Sequence, residues 1–513
     1  MYRLLFAAVL LVFTSCAPDT TYDWHISGGT VVDGTGDEAY SADILVDEGR
    51  IVHLGEVDAD TVNAVNFQDA SGYHITPGFI DAHAHGDPVE NPEMENFLAM
   101  GVTTVLLGQD GGSPDIAELE ETMSAVSGVN PAINVAYLAG HNTIRRESGV
   151  GHDSPDEEDL QNMADMVNRG IQTGTFGLSL GLEYDYGTQA GMEELVAIAG
   201  PVAENDGVIM SHMRSEDHDR IEDSLNELVE QGRQSGARVH ASHLKIVLGH
   251  DIDQANEILR MMNEARDDGI DVSADVYPYN ASFTGIGLLF PDWASPPHDY
   301  DEVVEEREDE LREYLSNRVN ARNGPDATLF GTGEYAGKTL LEVAEEEGRP
   351  FEDILIDLGP DGASAAYFVM DEEVMQVFIA DEHTVISSDG SPTMRHPRGY
   401  GAFAKILNEY TSDGNLLEIE EAVRKMSGQT ASIIGLDDAD KTEIQRGYLR
   451  EGYAADIVMF NPDEIEDIAD FENPHQLAEG MQKIWVNGQI ALEASTPFDS
   501  EGGGQMLRNQ AAR

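Results

Sequence analysis

The sequence predicts an α/β fold whose main part is a closed, TIM-like (β/α)8 barrel. Eight short apolar runs bounded by glycine or polar residues have the composition of strands buried on both faces. They span residues 75–80, 101–110, 133–140, 175–181, 207–212, 238–243, 269–277 and 383–389. Helical patterns separate most of these runs, for example at 192–203, 221–234 and 253–268. Repeated strand–helix units favour a parallel sheet, and eight units favour a barrel.

Side chains that can bind a metal follow five of the eight runs. They are His83, His85, Asp110, His212, His243 and Asp389. Side chains two residues apart in a strand point to the same side, so the two histidines after the first run face one point. Active sites of such barrels lie at the carboxyl ends of the strands. The pattern therefore predicts a metal site at that end of the barrel.

These motifs resemble those of the amidohydrolase superfamily and, within it, of the D-aminoacylases, the N-acyl-D-amino-acid deacylases. The resemblance rests on segments 77–85 (PGFIDAHAH), 108–111 (GQDG), 211–214 (SHMR), 242–245 (SHLK), 277–279 (YPY), 388–390 (SDG) and 396–398 (HPR). It extends from about Tyr22 to about Glu493. It implies a hydrolase that cleaves N-acyl-D-amino acids to a carboxylate and a free D-amino acid. Its expected cofactor is zinc, as one or two divalent metal ions.

The resemblance also implies a division of the ligands into two sites. Asp110, His212 and His243 form the first, and His83, His85 and Asp389 form the second, with Asp110 as the bridge. Metal-activated water is the nucleophile, and Asp389 is its general base and then the acid for the leaving amine. Well-known D-aminoacylases carry cysteine where this chain has Asp110. A carboxylate is a harder ligand than a thiolate, so the departure predicts a preference for a harder metal or weaker zinc binding.

Three further residues are expected to bind the free α-carboxylate of the substrate, as their family equivalents do: Lys245, Tyr277 and Arg398. Lys245 follows His243 by two residues and shares its side if the strand continues. Tyr277 is equally well explained as core packing at the barrel rim. Arg214 and His141 are interpreted as structural, and Glu183 is a reserve candidate for a bridging ligand.

The two chain ends resemble the small β-sandwich of amidohydrolases, here residues 22–76 together with 442–495. The barrel occupies 77–441. Within it, 290–360 is acidic, is predicted to be helical, and resembles an insertion that we interpret as a candidate lid. A glycine-rich segment, 496–513, is predicted to be a flexible tail.

Residues 1–16 resemble a bacterial lipoprotein signal peptide. Arg3 is followed by an apolar stretch, 4–13, that is too short to span a membrane as a mature helix. Cys16 is the only cysteine, so the chain can form no internal disulfide. We expect an exported periplasmic or cell-surface enzyme whose only membrane contact is a lipid anchor at Cys16. Ala17 favours the outer membrane, and an ordinary signal peptide is the alternative.

Acidic residues greatly exceed basic ones: 97 Asp and Glu against 29 Lys and Arg give a net charge of −68. This charge argues against binding of nucleic acid or of anionic membranes through the folded surface. Self-repulsion on this scale is tolerated where salt screens it, so we expect a halophilic source.

Two other functions are compatible with the sequence. The same site could serve a dipeptidase acting on peptides with D-residues, or a cyclic amidase of the dihydroorotase or hydantoinase type. A non-catalytic binding lipoprotein would be expected to have lost ligands, and every main ligand position is filled. In all the enzymatic cases the expected partner is a small-molecule substrate.

Overall fold

The barrel and its flanking sheet are described from a computed structural model, which covers residues 21–58, 62–411, 416–494 and 503–510. In chain order the strands are β1 (Thr21–Val31), β2 (Tyr40–Asp47), β3 (Arg50–Gly55), β4 (Asn63–Asp69), β5 (His74–Pro77), β6 (Phe79–Asp81), β7 (Val102–Leu107), β8 (Asn134–Tyr137), β9 (Ala139–Gly140), β10 (Gly177–Gly181), β11 (Val208–His212), β12 (Arg238–Ala241), β13 (Val272–Val276), β14 (Ser282–Gly285), β15 (Thr328–Phe330), β16 (Ser364–Tyr367), β17 (Thr384–Ile386), β18 (Ile457–Phe460), β19 (Met481–Val486) and β20 (Gln489–Glu493).

The helices surround the barrel and build the segment inserted before its last strand. They are α1 (Glu95–Ala99), α2 (Leu119–Val129), α3 (His141–Ser148), α4 (Glu157–Thr173), α5 (Met192–Glu204), α6 (Ile221–Ser235), α7 (Ile252–Asp267), α8 (Tyr300–Ala321), α9 (Leu340–Glu347), α10 (Phe351–Leu358), α11 (Glu372–Ala380), α12 (Arg398–Lys405), α13 (Ile419–Met426) and α14 (Gly428–Ile434). Among the described residues, no helix is long and apolar enough to cross a membrane.

Parallel strands form the barrel, as the sequence predicts. β6, β7 and β8 pair in order, and β9 to β13 continue to β17. β8 and β9 together form the third strand of the barrel, which is interrupted at Leu138. The barrel closes between its first and eighth strands, where Asp389 N donates to His83 O at 2.9 Å and His85 N donates to Gly390 O at 2.7 Å. The predicted fold class is confirmed.

The composition of the barrel strands agrees with their burial. Every residue of β7, β10 and β11 is buried, as expected for strands that are covered by helices outside and by side chains inside. The helices are amphipathic; α4, for example, begins with a capping box at Asp156 and buries Met163, Val167 and Ile171.

A second sheet joins the two ends of the chain. Its strands lie in the order β20-β19-β18-β5-β1-β2-β3, and β4 pairs with β1. β5 is antiparallel to β18, so residues 74–77 are held by residues near 460. Buried side chains of this sheet include Ile26, Ile44 and Trp485.

The segment between β13 and β17 forms a unit with its own hydrophobic core. β14, β16 and β15 make a three-stranded antiparallel sheet, and α8 to α10 pack beside it with Leu311, Leu340 and Leu355 buried. The sequence predicts a helical insertion at 290–360, but β15 lies inside that range. The sheet also extends the unit to Ser282 on one side and Tyr367 on the other.

The prediction of a flexible tail is wrong for residues 503–510. Val135 N donates to Gln505 O, Leu507 N donates to Val135 O, and Asn509 N donates to Gly174 O. Arg508 also forms an ion pair with Glu120. These contacts extend the edge of β8, and most are made by backbone atoms, so composition did not reveal them. The proposed signal peptide, 1–16, lies outside the described residues.

Candidate metal centre and active site

The metal-ligand candidates lie in loops just beyond the strands. β6 ends at Asp81, β7 at Leu107, β12 at Ala241 and β17 at Ile386, and only His212 lies within its strand. Asp110, His243 and Asp389 have positive φ angles of 53°, 36° and 47°. Non-glycine residues adopt this conformation at an energetic cost, so the surrounding structure must hold these loops in place.

Gly181 is one such support. A Cβ atom at this position would lie 2.1 Å from the carbonyl oxygen of Asp110. Only glycine lets the strand approach the loop that closely, and the contact fixes where the Asp110 side chain begins.

The first group of ligand candidates surrounds Asp110 and Asp389. His85 Nε2 lies 3.5 Å from Asp110 Oδ2 and 3.2 Å from Asp389 Oδ1. His83 Nε2 lies 3.4 Å from Asp110 Oδ1. His83 is fully buried, and neither of its ring nitrogens makes a hydrogen bond to a described residue. A buried imidazole nitrogen that has no hydrogen-bond partner is available to bind a metal ion.

The second group shares Asp110 with the first. His243 Nε2 lies 3.3 Å from Asp110 Oδ1 and 2.9 Å from His212 Nδ1. The ligand atoms of each group lie within 4.8 Å of one another. The structure therefore brings together all six residues that the sequence singles out, with Asp110 common to both groups.

Electrostatics favour positive charge in this cluster. Burial opposes protonation of His85 and His212, yet the surrounding carboxylates raise the pKa of each to about 10. Protons and divalent cations compete for such a site, since metal ligation requires neutral imidazoles. The donor set of imidazoles and carboxylates fits zinc and its divalent neighbours.

Two glutamates contact the histidines from the far side. His212 Nε2 lies 3.1 Å from Glu183 Oε2, and His243 Nδ1 lies 3.0 Å from Glu216 Oε1. A carboxylate on the second ring nitrogen fixes the tautomer and orientation of a ligating histidine. Glu183, the reserve candidate for a bridging ligand, lies in a third group of candidate ligand atoms with His212 and Glu216.

Glu216 is the residue that sequence analysis missed. It lies in the loop after β11, four positions beyond His212, where no strand period predicts a direction. Burial opposes its ionisation, but Lys245 and the nearby imidazoles lower the pKa of Glu216 to about 2. Its fixed negative charge balances Lys245.

Lys245 lies beside the site, but for a different reason from the one predicted. The strand ends at Ala241, so Lys245 does not share a strand face with His243. A turn brings Lys245 Nζ to 2.8 Å from His243 Nδ1 and 2.7 Å from Glu216 Oε1. Tyr277 stacks near both cations: its ring centroid lies 5.7 Å from Lys245 Nζ and 4.7 Å from Arg398 Cζ.

Arg398 pairs with Asp389. Its Nη1 lies 3.0 Å from Asp389 Oδ2, while Asp389 Oδ1 faces His85. Burial opposes ionisation of this carboxyl group, but Arg398 and the imidazoles hold its pKa well below the usual range. Asp389 is therefore ionised at neutral pH.

The two residues interpreted as structural have structural contacts. His141 Nε2 lies 2.7 Å from Glu194 Oε1, and both side chains are buried. Arg214 Nε pairs with Glu227 Oε2 at 2.9 Å.

The ligand groups open into a cavity of about 340 Å³. That volume suits a small molecule. Lys245, Tyr277 and Arg398 line it, together with Arg322 and Thr332 from the inserted unit.

Comparison with known proteins identifies the family. A model of the "Amidohydrolase family" matches residues 357–492. The D-aminoacylase of Alcaligenes xylosoxydans xylosoxydans is 30% identical over 96% of this chain and 98% of its own length. The chain belongs to the D-aminoacylase family.

Solved structures of family members superpose on nearly the whole chain. One of them is the N-acyl-D-glutamate deacylase of Bordetella bronchiseptica, complexed with zinc and a phosphonate mimic of the tetrahedral intermediate. Its TM-score is 0.81 and its sequence identity is 30%. The superposition covers 95% of this chain and 100% of that chain. A D-aminoacylase described as having a binuclear metal centre has a TM-score of 0.79 at 30% identity, with the same coverage. The chain is thus a member of the D-aminoacylase family and a hydrolase that acts on carbon–nitrogen bonds.

Proposed function

We propose that this chain hydrolyses N-acyl-D-amino acids to a carboxylate and a free D-amino acid. The observation that carries the proposal is the shared position of Asp110 between two ligand groups, with the ionised Asp389 beside them in one cavity. His83, His85, Asp110 and Asp389 would hold one divalent ion and Asp110, His212 and His243 the other, with zinc as the expected metal. When bound, the metal supplies Lewis-acid polarisation of the amide carbonyl and a lower pKa for water.

The residues of the chain perform the proton transfers and the binding. Asp389 Oδ1 accepts a proton from the attacking water and delivers it to the leaving amine. The Arg398 contact holds Oδ2, so Oδ1 keeps facing the histidines. The remaining donors of Arg398, with Lys245 and Tyr277 beside it, provide the positive wall that an α-carboxylate needs.

The location of the enzyme is a separate part of the proposal. The resemblance of residues 1–16 to a lipoprotein signal supports export and a lipid anchor at Cys16. The acidic composition supports a halophilic source.

The decisive experiment measures free amino acid released from paired N-acetyl-D- and N-acetyl-L-amino acids in molar salt. Protein loaded with zinc is compared with protein that has been treated with a chelator. We expect turnover of D substrates that is lost on chelation and restored by metal. Folded, metal-loaded protein that releases nothing from either series would contradict the proposal, and D-residue dipeptides and cyclic amides would be assayed next.

A further inference from the structure

A buried carboxylate lies beside the metal-ligand candidates and has no part in the proposed proton transfers. Asp81 is the last residue of β6, two positions before His83, and it is inaccessible to solvent. It does not line the cavity, so its role is not to contact a substrate there. A buried carboxylate needs hydrogen-bond donors, because its removal from water is otherwise unfavourable. The identity of these donors therefore indicates the role of Asp81.

The donors of Asp81 come from two loops that lie far apart in the sequence. Asp81 Oδ1 accepts hydrogen bonds from His83 N at 3.2 Å and from Ser388 N at 3.0 Å. Asp81 Oδ2 accepts one from Ser388 Oγ. His83 follows the first barrel strand and Ser388 follows the eighth. One carboxylate thus joins the loop that carries two ligand histidines to the loop that carries Asp389.

Ser388 extends this connection around Asp389. Its Oγ donates to Asp81 and accepts a hydrogen bond from Gly390 N at 2.9 Å. Both chain neighbours of Asp389 are therefore tied to the Asp81 carboxylate, Ser388 directly and Gly390 through the serine hydroxyl. Asp389 itself has a φ of 47°, a conformation that a non-glycine residue keeps only when the surrounding structure enforces it. The hydrogen bonds of Asp81 and Ser388 are part of that enforcement.

We propose that Asp81 and Ser388 are positioning residues, which set where the Asp389 carboxylate lies relative to the two histidines of the first ligand loop. The inference rests on the proposed function, in which Asp389 is a metal ligand and the general base. A small displacement of such a group lowers the rate strongly, because proton transfer and metal binding both depend on distance. Arg398 orients the carboxylate of Asp389, while Asp81 and Ser388 fix the backbone on either side of it.

The chain offers a matched control one position away. Ser387 is also buried, and its Oγ also donates to a buried carboxylate, that of Asp275. The carboxylate of Asp275 lies 2.8 Å from His240 Nε2, and His240 is not one of the metal-ligand candidates. Ser387→Ala and Ser388→Ala therefore remove the same chemical group from similar surroundings, but only the second change releases the turn at Asp389.

The first test compares the zinc-loaded wild type with the two serine variants, on the N-acetyl-D-amino acid that the wild type hydrolyses fastest. We expect Ser388→Ala to lower kcat by about 10- to 100-fold, the usual effect of losing a hydrogen bond that orients a metal ligand. KM should change less, because the residues proposed to bind the α-carboxylate are unaltered. Ser387→Ala should keep a kcat close to that of the wild type, although we expect Tm to fall similarly in both variants.

Zinc binding gives a second measurement that needs no turnover. Competition with a chromophoric chelator measures the zinc affinity of each protein. We expect the site that includes Asp389 to bind zinc about tenfold or more weakly in Ser388→Ala, because the position of one ligand is no longer fixed. The affinity of Ser387→Ala should equal that of the wild type.

Asp81→Asn tests the same connection from its other end and serves also if Ser388→Ala does not fold. The asparagine oxygen can still accept from the two backbone N–H groups, but its amide nitrogen cannot accept from Ser388 Oγ. We expect kcat to fall by about tenfold. In the double variant the loss should be smaller than the product of the two single losses, because both changes act on one connection. An unaltered kcat in Asp81→Asn would overturn the inference.

The outcomes separate this inference from the proposed function. Equal kcat and equal zinc affinity in Ser388→Ala and Ser387→Ala would overturn the positioning role and leave the deacylase proposal intact. A wild type that binds zinc but hydrolyses no N-acyl-D-amino acid would contradict the proposed function instead. The difference in zinc affinity between the two serine variants would then decide whether Ser388 positions Asp389.

Discussion

The two oxygens of Asp389 have different partners: Oδ2 lies 3.0 Å from Arg398 Nη1, and Oδ1 lies 3.2 Å from His85 Nε2. The two oxygens of this carboxylate can therefore have different roles. One oxygen is held by a permanent charge, and the other remains available to a proton.

Replacing Asp389 with asparagine should therefore remove proton transfer without removing the histidines. We expect Asp389→Asn to lower kcat by at least about 10² to 10⁴, the usual contribution of general acid–base catalysis. Metal content by mass spectrometry should stay above zero, because the Asp110, His212 and His243 group is intact. Asp361→Asn, at an exposed carboxylate of the inserted unit, is the control. Retention of most of the activity would show that another group is the base.

Asp110 distinguishes this chain from the cysteine-containing pattern that the sequence resembles. A thiolate is softer than a carboxylate, so Asp110→Cys should strengthen zinc binding relative to manganese by about tenfold or more. Competition with a chromophoric chelator measures both affinities. Unchanged relative affinities would mean that the other five ligands determine the choice of metal.

At the scale of single residues, the sequence predicted which residues are candidate metal ligands. It did not predict where the side chains of loop residues point. Histidine and aspartate at strand ends predicted the ligands, and the structure gathers them. Glu216 and the turn at His243 were not predicted, because both lie in loops, and loop residues follow no strand period.

α3 and α5 are joined by a buried ionic contact. Glu194 on α5 lies 2.7 Å from His141 and 3.1 Å from Arg145, both on α3. Only 2% of Glu194 is exposed, so the contact is shielded from water.

Neutralising Glu194 should leave the buried guanidinium of Arg145 without its counter-charge. We expect Glu194→Gln to destabilise the protein by about 3–5 kcal/mol, measured by chemical denaturation in molar salt. Glu193→Gln, at the adjacent exposed position, should have a much smaller effect. Equal unfolding curves for the two variants would contradict the expected role of the contact.

A buried lysine makes the attachment of α13 sensitive to pH. Lys425 is inaccessible to solvent and donates to Thr384 O at 2.8 Å and to Asp381 O. Burial lowers the pKa of Lys425 from 10.5 to about 8. The folded state therefore disfavours the charged amine, and the penalty is complete below pH 8 and disappears above pH 10.5.

As pH rises from 8 to 10.5, the wild type should gain stability relative to Lys425→Met. The shift corresponds to about 3 kcal/mol, visible as a change in the Tm difference between the two proteins in favour of the wild type. Parallel Tm curves over this range would show that Lys425 keeps its ordinary pKa.

Element prediction succeeded where continuous apolar runs mark buried strands and failed where backbone hydrogen bonds decide. The barrel strands follow from their apolar runs. β15 was not predicted because it is short, and the segment 503–510 reads as a loop although it is bonded along β8.

Net charge is the dominant property of the whole molecule. The net charge is −68 on 513 residues, and repulsion between these charges opposes the compact state. Salt weakens the repulsion, because it shortens the screening length from about 10 Å at 0.1 M to about 3 Å at 1 M. We expect Tm to rise by several degrees or more between dilute buffer and molar KCl. Calorimetry in both solvents, with uncharged sucrose as the control solute, measures the effect. An unaltered Tm would refute adaptation to salt.

At this scale the sequence alone predicted the barrel, because eight similar units repeat. The flanking sheet was predicted only through family resemblance, since nothing local to β5 indicates that it pairs with β18. Pairing between distant segments is not encoded in composition or periodicity.

That pairing also sets an order of events during synthesis. β5 ends at Pro77 and its partner β18 begins at Ile457, so a ribosome adding about 5–20 residues per second completes β18 roughly 20 to 80 s after β5. For that interval β5 lacks the neighbour that covers its edge. During that interval the exposed edge of β5 can pair with strands of other chains.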